Sequence, residues 1–376
     1  MKKEFLGKKV LSVLLVAALA LTTAACGAKD SAAANTTNTE ASANTDSAAD
    51  NADSTADNAD SAAATEGGND VITIRSSWQK GMAGAIVTYG IEKGLFEEEG
   101  ILFEDVPNTS NDNTLALISR NEIDIADGDP STLIPGIYNG VPGTLVGNMW
   151  RYSGCFWLIA NNDIQSIEDL KGKKVGTATA AGGMKLSVLK MLESAGLTED
   201  DVILIANGVF QDAYAGFTTG EVDATIIHNP YASLSQVEGT GHPLGRAWDY
   251  IPDYYTGTLI ASNDFIKNHP DECQRVVTAY YKVHERVKHE FFDDFVKWAA
   301  EYMNTDEDVM RDAIESEIDV WLDYPVIPTD RVANTIKILN EYGWLEEEIT
   351  DFSTIIDNSF AEKAAADLGI TDPYKK

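Results

Sequence analysis

The sequence predicts an α/β protein built as two lobes, the second inserted into the first, with a helical C-terminal region. Three observations predict it. Short β-branched runs alternate with helical segments from Val71 onward, the order that builds parallel α/β layers. The same alternation restarts after residue 162. Beyond Ile260 the chain turns almost wholly helical. No internal repeat is evident.

VITIR (71–75) is a β-branched strand, followed by a helical pattern over Ala83–Leu95. ILFEDV (101–106) reads as a strand and Asn113–Ser119 as a helix. IDIAD (123–127) is a strand, and Asp129-Pro130 is an N-cap followed by proline at the first helical position. GTLVGNMW (143–150) is a further strand. In the second lobe, Ser166-Ile-Glu-Asp169 has the form of a capping box. Lys173–Thr177, Val202–Ala206 and Ala224–His228 read as strands, with helices over Gly182–Ala195 and Ala213–Thr218 between them. Helices are then expected over 270–290, 291–302, 307–317, 330–341 and 353–366. The resulting division is 71–161 for the first part of lobe 1, 162–255 for lobe 2, and 256–376 for the return to lobe 1 with the C-terminal helices.

The segment before Val71 bears on location. Lys2, Lys3, Lys8 and Lys9 precede an apolar run that ends in small residues before Cys26. That is the layout of a secretory signal, here residues 1–25. Thr23-Ala24-Ala25-Cys26 resembles a bacterial lipobox, with Thr23 where leucine is usual. The resemblance implies that Cys26 becomes a lipidated N-terminus, anchoring the chain to the outer face of the cell membrane. Residues 26–70 hold almost no large apolar side chain and cannot offset their ordering entropy. They read as a disordered acidic tether, which with Gly27 points to a Gram-positive surface.

Net charge is −32. Residues 1–26 carry +3 and 27–70 carry −8, which leaves −27 on 71–376. That much negative charge repels nucleic acid and anionic headgroups, so neither is expected as a partner. Cys155 and Cys273 either pair or remain buried thiols; sequence alone leaves both open. No CxxC or HExxH motif and no His/Cys cluster suggests a metal, and no cofactor is expected.

An ordered set of motifs carries a family resemblance. GIEKGLFEEEGI (90–101), NEIDIADGDPS (121–131), IQSIEDLKGKKVG (164–176), GEVDATIIHNPYAS (220–233) and SNDFIKNHPDECQRVVTAYYKV (262–283) follow one another. Together they resemble the SsuA/THI5-like, or NMT1-like, solute-binding proteins for nitrate, sulfonate, taurine and thiamine pyrimidines. Asn229 stands where that family often has an acidic residue. The resemblance implies a type II periplasmic-binding-protein fold: two α/β lobes, two crossover strands and a ligand cleft between them. It implies the substrate-binding component of an ABC importer, a monomer that hands its ligand to permease transmembrane subunits. The ligand stays open between a sulfonate, taurine or nitrate-type anion and an aromatic, thiamine-precursor-like compound.

In open α/β sheets ligands bind outside the carboxyl ends of strands. Five loops meet that condition. They offer Ser76, Ser77 and Trp78; Asp129, Ser131 and Thr132; Trp150, Arg151 and Tyr152; Thr179, Ala181, Gly182 and Gly183; and His228, Asn229 and Tyr231. The 177–183 stretch opens a helix, whose N-terminus favours an anion. Arg151 can grip a carboxylate or sulfonate bidentately, or form an interlobe ion pair. Trp78, Trp150, Tyr152, Phe210 and Tyr231 can stack on a flat ring or simply fill the core. His228 is the one pH-sensitive candidate.

Two other functions compete. A sensor or adhesion lipoprotein can reuse the same fold. One branch of the resembling family is an enzyme that makes the thiamine pyrimidine in the cytosol from pyridoxal phosphate and one of its own histidines. That branch has a cysteine-rich motif near its cleft, and no such cluster occurs here. No Ser-His-Asp arrangement, carboxylate pair or P-loop is evident, so binding without catalysis is expected.

Overall fold

The computed structural model describes residues 71–107, 110–149, 154–321, 324–346 and 348–373. The expected signal, Cys26 and tether, and the candidate ligand residues Trp150, Arg151 and Tyr152, lie outside the described residues. No described helix is long and apolar enough to cross a membrane.

The first lobe opens with β1 (Ile72–Ser77), α1 (Ala85–Glu92), β2 (Ile101–Asp105), α2 (Asn111–Ser119), β3 (Ile125–Gly128), α3 (Pro130–Tyr138) and β4 (Gly143–Asn148). The chain then crosses to β5 (Trp157–Ala160), β6 (Lys174–Gly176), α4 (Gly183–Ser194), β7 (Ile203–Ile205), α5 (Phe210–Thr218), β8 (Ala224–Ile227), α6 (Tyr231–Val237), β9 (His242–Arg246) and the short α7 (Ala247–Tyr250). It returns through β10 (Thr258–Ser262) and ends in α8 (Asn263–Asn268), α9 (Pro270–His289), α10 (Phe292–Met303), α11 (Glu307–Glu315), α12 (Thr329–Glu341) and α13 (Ser359–Leu368).

These strands form two five-stranded sheets, ordered β2-β1-β3-β10-β4 and β7-β6-β8-β5-β9. The two orders are equivalent, lobe for lobe. Neither sheet is wholly parallel, which corrects the expectation drawn from the strand–helix alternation. β10 runs antiparallel to β3 and β4, and β5 runs antiparallel to β8 and β9. Each of these is the strand that arrives from the other lobe. β5 already belongs to the second sheet, so the first crossing comes before residue 162.

Local chemistry accounts for many of the boundaries. Asp129 caps α3, its carboxylate accepting from the Ser131 N–H at 2.8 Å, with Pro130 at the first helical position. Ser166 and Asp169 do form a capping box, but it heads only a single 3₁₀ turn, Ile167–Leu170. Ile101 of β2 stands level with Ile72 of β1, both running parallel. The Ile355–Asp357 segment covers the β4 edge, Leu145 donating to Ile355 O at 2.8 Å and accepting from Asp357 N at 2.9 Å.

Trp78 belongs to the core of lobe 1. It is 2% exposed, meets Phe103 edge-on at 5.4 Å and stacks on Tyr280 of α9 at 6.0 Å. This corrects its expected role as a ligand platform: a tryptophan at a strand end turned under α9 cannot reach a cleft. Tyr280 and Tyr281 are likewise fully buried on α9. Arg75 pairs with Asp124 at 2.5 Å on the same lobe. Cys155 and Cys273 are both buried and form no disulfide, and burial pushes the Cys273 thiol up to about 12. Of the two alternatives, buried thiols are the one observed.

Trp78→Ala should lower the unfolding free energy by about 3–5 kcal/mol, as large core truncations do. Urea titration measures it; a loss below about 1 kcal/mol would contradict the core assignment.

Candidate functional site

The sheets position the site. β1, β3, β6 and β8 all end toward the junction of the two lobes, so the loops after them face one another across a single cleft. Two direct contacts join the lobes there.

The first contact is polar. Asp129, at the start of α3 in lobe 1, accepts through Oδ2 from the Gly183 backbone N–H at 2.9 Å, at the start of α4 in lobe 2. Its Oδ1 meanwhile accepts from Ser131 N. One carboxylate thus lies against the first N–H groups of two helices, where the helix dipoles favour negative charge. Gly183 permits this because a Cβ there would stand 2.7 Å from Oδ2 and 3.3 Å from the Tyr254 hydroxyl. Tyr254 is buried; its hydroxyl faces Asp129 and Ser131 but closes no well-formed hydrogen bond. Burial first, and the nearby Asp129 charge second, push that hydroxyl well above the usual tyrosine range.

The second contact is aromatic. His228, at the end of β8, is stacked on Phe210 at 5.3 Å and met edge-on by Phe156 at 5.0 Å. Phe210 in turn lies against Gly81 of lobe 1, where a Cβ would fall 2.7 Å from its ring. Two residues of these lobe-2 loops, Ala178 (φ +62°) and Phe210 (φ +50°), hold left-handed backbone that non-glycine residues rarely adopt. Such conformations persist where the surroundings over-determine them, and functional loops are a common setting. The bracing is visible here: Asn207 accepts from Ala178 N at 3.3 Å and donates to Thr225 Oγ1 at 3.0 Å.

The other expected residues divide. Thr132 is half-buried on α3, and both its hydroxyl and that of Thr179 approach Gly182. Thr179 is exposed and its hydroxyl donates to the carbonyl of exposed Ala181, which closes the loop on itself. Ser131 is buried beside Asp129. Ser76 is wholly buried, and Ser77 donates to Val106 O at 2.9 Å inside lobe 1. Tyr231 is buried against Tyr214 at 5.2 Å, in the interior of lobe 2. Asn229 serves the fold: its Nδ2 donates to Ala313 O and to Ser316 Oγ, each at 3.1 Å, at the end of α11. Ser77, Tyr231 and Asn229 are thus committed to protein contacts, whereas Asp129 meets Gly182 and Gly183, and Phe210 stacks on His228. Gly81, Phe156 and Tyr254 are additions. A turn glycine in QKGMAG was a readable sign for the first; nothing local marks the other two. Among the described residues no group of three His, Cys, Asp or Glu side chains is placed to hold a metal.

A family model described as NMT1/THI5 like matches residues 82–288. The chain is 23% identical over 284 residues to a Bacillus subtilis (strain 168) chain named as a binding protein, YtlA, covering 73% of this chain and 84% of that one. It is 22% identical over 235 residues to a Saccharomyces cerevisiae (strain ATCC 204508 / S288c) chain, 4-amino-5-hydroxymethyl-2-methylpyrimidine phosphate synthase THI12, covering 58% of this chain and 67% of that one. Among solved structures, the alkanesulfonate-binding protein SsuA from Xanthomonas axonopodis pv. citri, bound to MOPS, superimposes with a TM-score of 0.65 at 15% identity. That match covers 77% of this chain and 99% of SsuA. The fold is that of the periplasmic binding proteins.

Asn229→Ala should cost about 1–3 kcal/mol of stability by stranding buried partners at the end of α11. Chemical denaturation reads it. A stable variant that has lost ligand binding would instead return Asn229 to the site.

Proposed function

Because this chain belongs to the NMT1/THI5-like family, we propose that it is the extracytoplasmic substrate-binding component of an ABC importer. It captures a small organic ligand between its lobes and delivers it to permease subunits, the lobes hinging as it binds and releases. The observation that carries this reading is that loops of the two lobes meet, Asp129 with Gly183 and Phe210, itself stacked on His228, with Gly81. The Phe156–His228–Phe210 stack supports a flat ring as part of the ligand. The sulfonate named for the SsuA relative supplies the competing candidate.

The ligand leaves unchanged in this reading. THI12, to which the chain is similar over 235 residues, is named as a synthase, so fold alone does not decide between binding and catalysis. The compartment favours binding: the signal-like residues 1–25 direct the chain out of the cytosol, away from its pool of cofactors. Lipidated Cys26 then holds it on the membrane through the acidic tether, at a Gram-positive-type surface.

A thermal-shift screen of the full chain against sulfonates, nitrate, taurine, thiamine precursors and aromatic acids tests the function, since a ligand of the folded state raises the melting temperature. The expected hit bears a ring, and Phe210→Ala weakens it at least about tenfold, or about 1.4 kcal/mol. A blank across all classes would count against transport. Cys26→Ala should move the chain from the membrane fraction to the soluble one; unchanged retention would remove the lipid anchor.

A further inference from the structure

We propose that the protein binds one structural water in an internal site at the joint between its lobes. Trp248, Tyr254 and Thr256 hold it, and it bridges α7 of lobe 2 to the segment that returns the chain to lobe 1. This goes beyond the transport reading and does not depend on which ligand the cleft takes.

A cavity of about 10 Å³ lies among residues of both crossings. Gly154 and Phe156 line it from the run into β5, Tyr254 and Thr256 from the run into β10, and Trp248 from α7. Every residue that lines it is buried. A cavity needs roughly 10–15 Å³ to hold a water, so this one has room for a single molecule and for nothing larger. The chemistry of its wall is a second, separate observation. Trp248 Nε1, the Tyr254 hydroxyl and the Thr256 hydroxyl are buried polar atoms with no hydrogen-bonding partner among the described residues, and none of the three residues is more than 7% exposed. Left so, each costs about 1–3 kcal/mol. The Trp248 ring is not free to turn elsewhere: Trp157 meets it edge-on at 5.4 Å, and the Arg246 guanidinium lies over it, 4.9 Å from its centroid. Its N–H only donates, whereas each hydroxyl donates or accepts. A metal ion or an ammonium could not accept from the indole. A water accepts from it and has bonds left for both hydroxyls, within the usual two to four partners of a buried water. The chain must bend at its two crossings when the lobes rotate, so a molecule held between them sits in the hinge itself.

The test compares the full chain with its Thr256→Val/Tyr254→Phe double variant. Each substitution removes a hydroxyl and keeps the shape of the side chain, which leaves the indole N–H as the water's one side-chain partner of the three. Oxygen-17 magnetic relaxation dispersion of the solvent counts the waters held inside the protein, with far-UV circular dichroism to verify the fold. The expected result is one long-lived water fewer in the double variant; an unchanged count in a folded double variant overturns the proposal. A crystal structure of the wild type decides the matter without any variant. It should show an ordered water about 2.7–3.2 Å from Trp248 Nε1 and from at least one of the two hydroxyls, and a dry cavity or a ligand atom in its place overturns the proposal. Neither measurement needs the natural ligand, so a blank organic screen bears on the transport reading alone.

Discussion

The chain passes between its lobes twice, and that constraint organises everything else. A strand that enters a sheet from the side of the cleft must run away from the cleft. β5 and β10 are those strands, and each is antiparallel to both of its neighbours. The other four strands of each sheet then point their carboxyl ends at the cleft. The helices that follow β3 and β6 consequently begin there, which brings the N-termini of α3 and α4 face to face. The site is thus a result of topology before it is a result of side-chain identity.

The C-terminal helices limit how freely the lobes can move. α11 is tied to α6 through Asn229 and through the Ser233 hydroxyl, which donates to Asp312 at 3.0 Å. α12 meets α4 through Lys190–Glu341 at 3.2 Å and the Tyr342 hydroxyl on Glu193. Trp157 donates to the buried Glu317 at 2.6 Å. These ties are unequal. Partly exposed ion pairs are worth about 0–1 kcal/mol, whereas a hydrogen bond to a buried charged group is worth about 1.5–3. The Trp157–Glu317 contact is therefore the firmest of them, and a hinge rotation that spared it while trading the α4–α12 pair would cost little.

What could be read from the sequence follows from how local each signal is. The Asp129-Pro130 start of α3 and the strand–helix alternation are set by neighbouring residues, and both are found in the structure. Strand direction is not local: a run such as TLIAS reads alike whether it is parallel or antiparallel to its neighbours. β5, β9 and α6 went unread; β9, HPLGR, is polar and carries a proline, as befits an edge strand. Trp78 and Asn229 illustrate a second limit. Each stands at a strand end that the cleft rule selects, yet Trp78 is claimed by Tyr280 and Asn229 by α11, partners some 80 or more residues away or beyond. The strained backbone at Phe210, which lays its ring on His228, leaves no sequence trace.

Both contacts across the cleft end on a glycine, Gly183 under Asp129 and Gly81 under Phe210. The lobes can therefore approach with no ligand between them, and a ligand can shift their equilibrium only by what it adds beyond these self-contacts. A hydrogen bond to a carboxylate is worth about 1.5–3 kcal/mol, so a ligand that parts Asp129 from Gly183 must make up about that much. The parting leaves the carboxylate in lobe 1. Asp129 is held to α3 by the Ser131 N–H, so opening parts the carboxylate from α4 and not from the cleft.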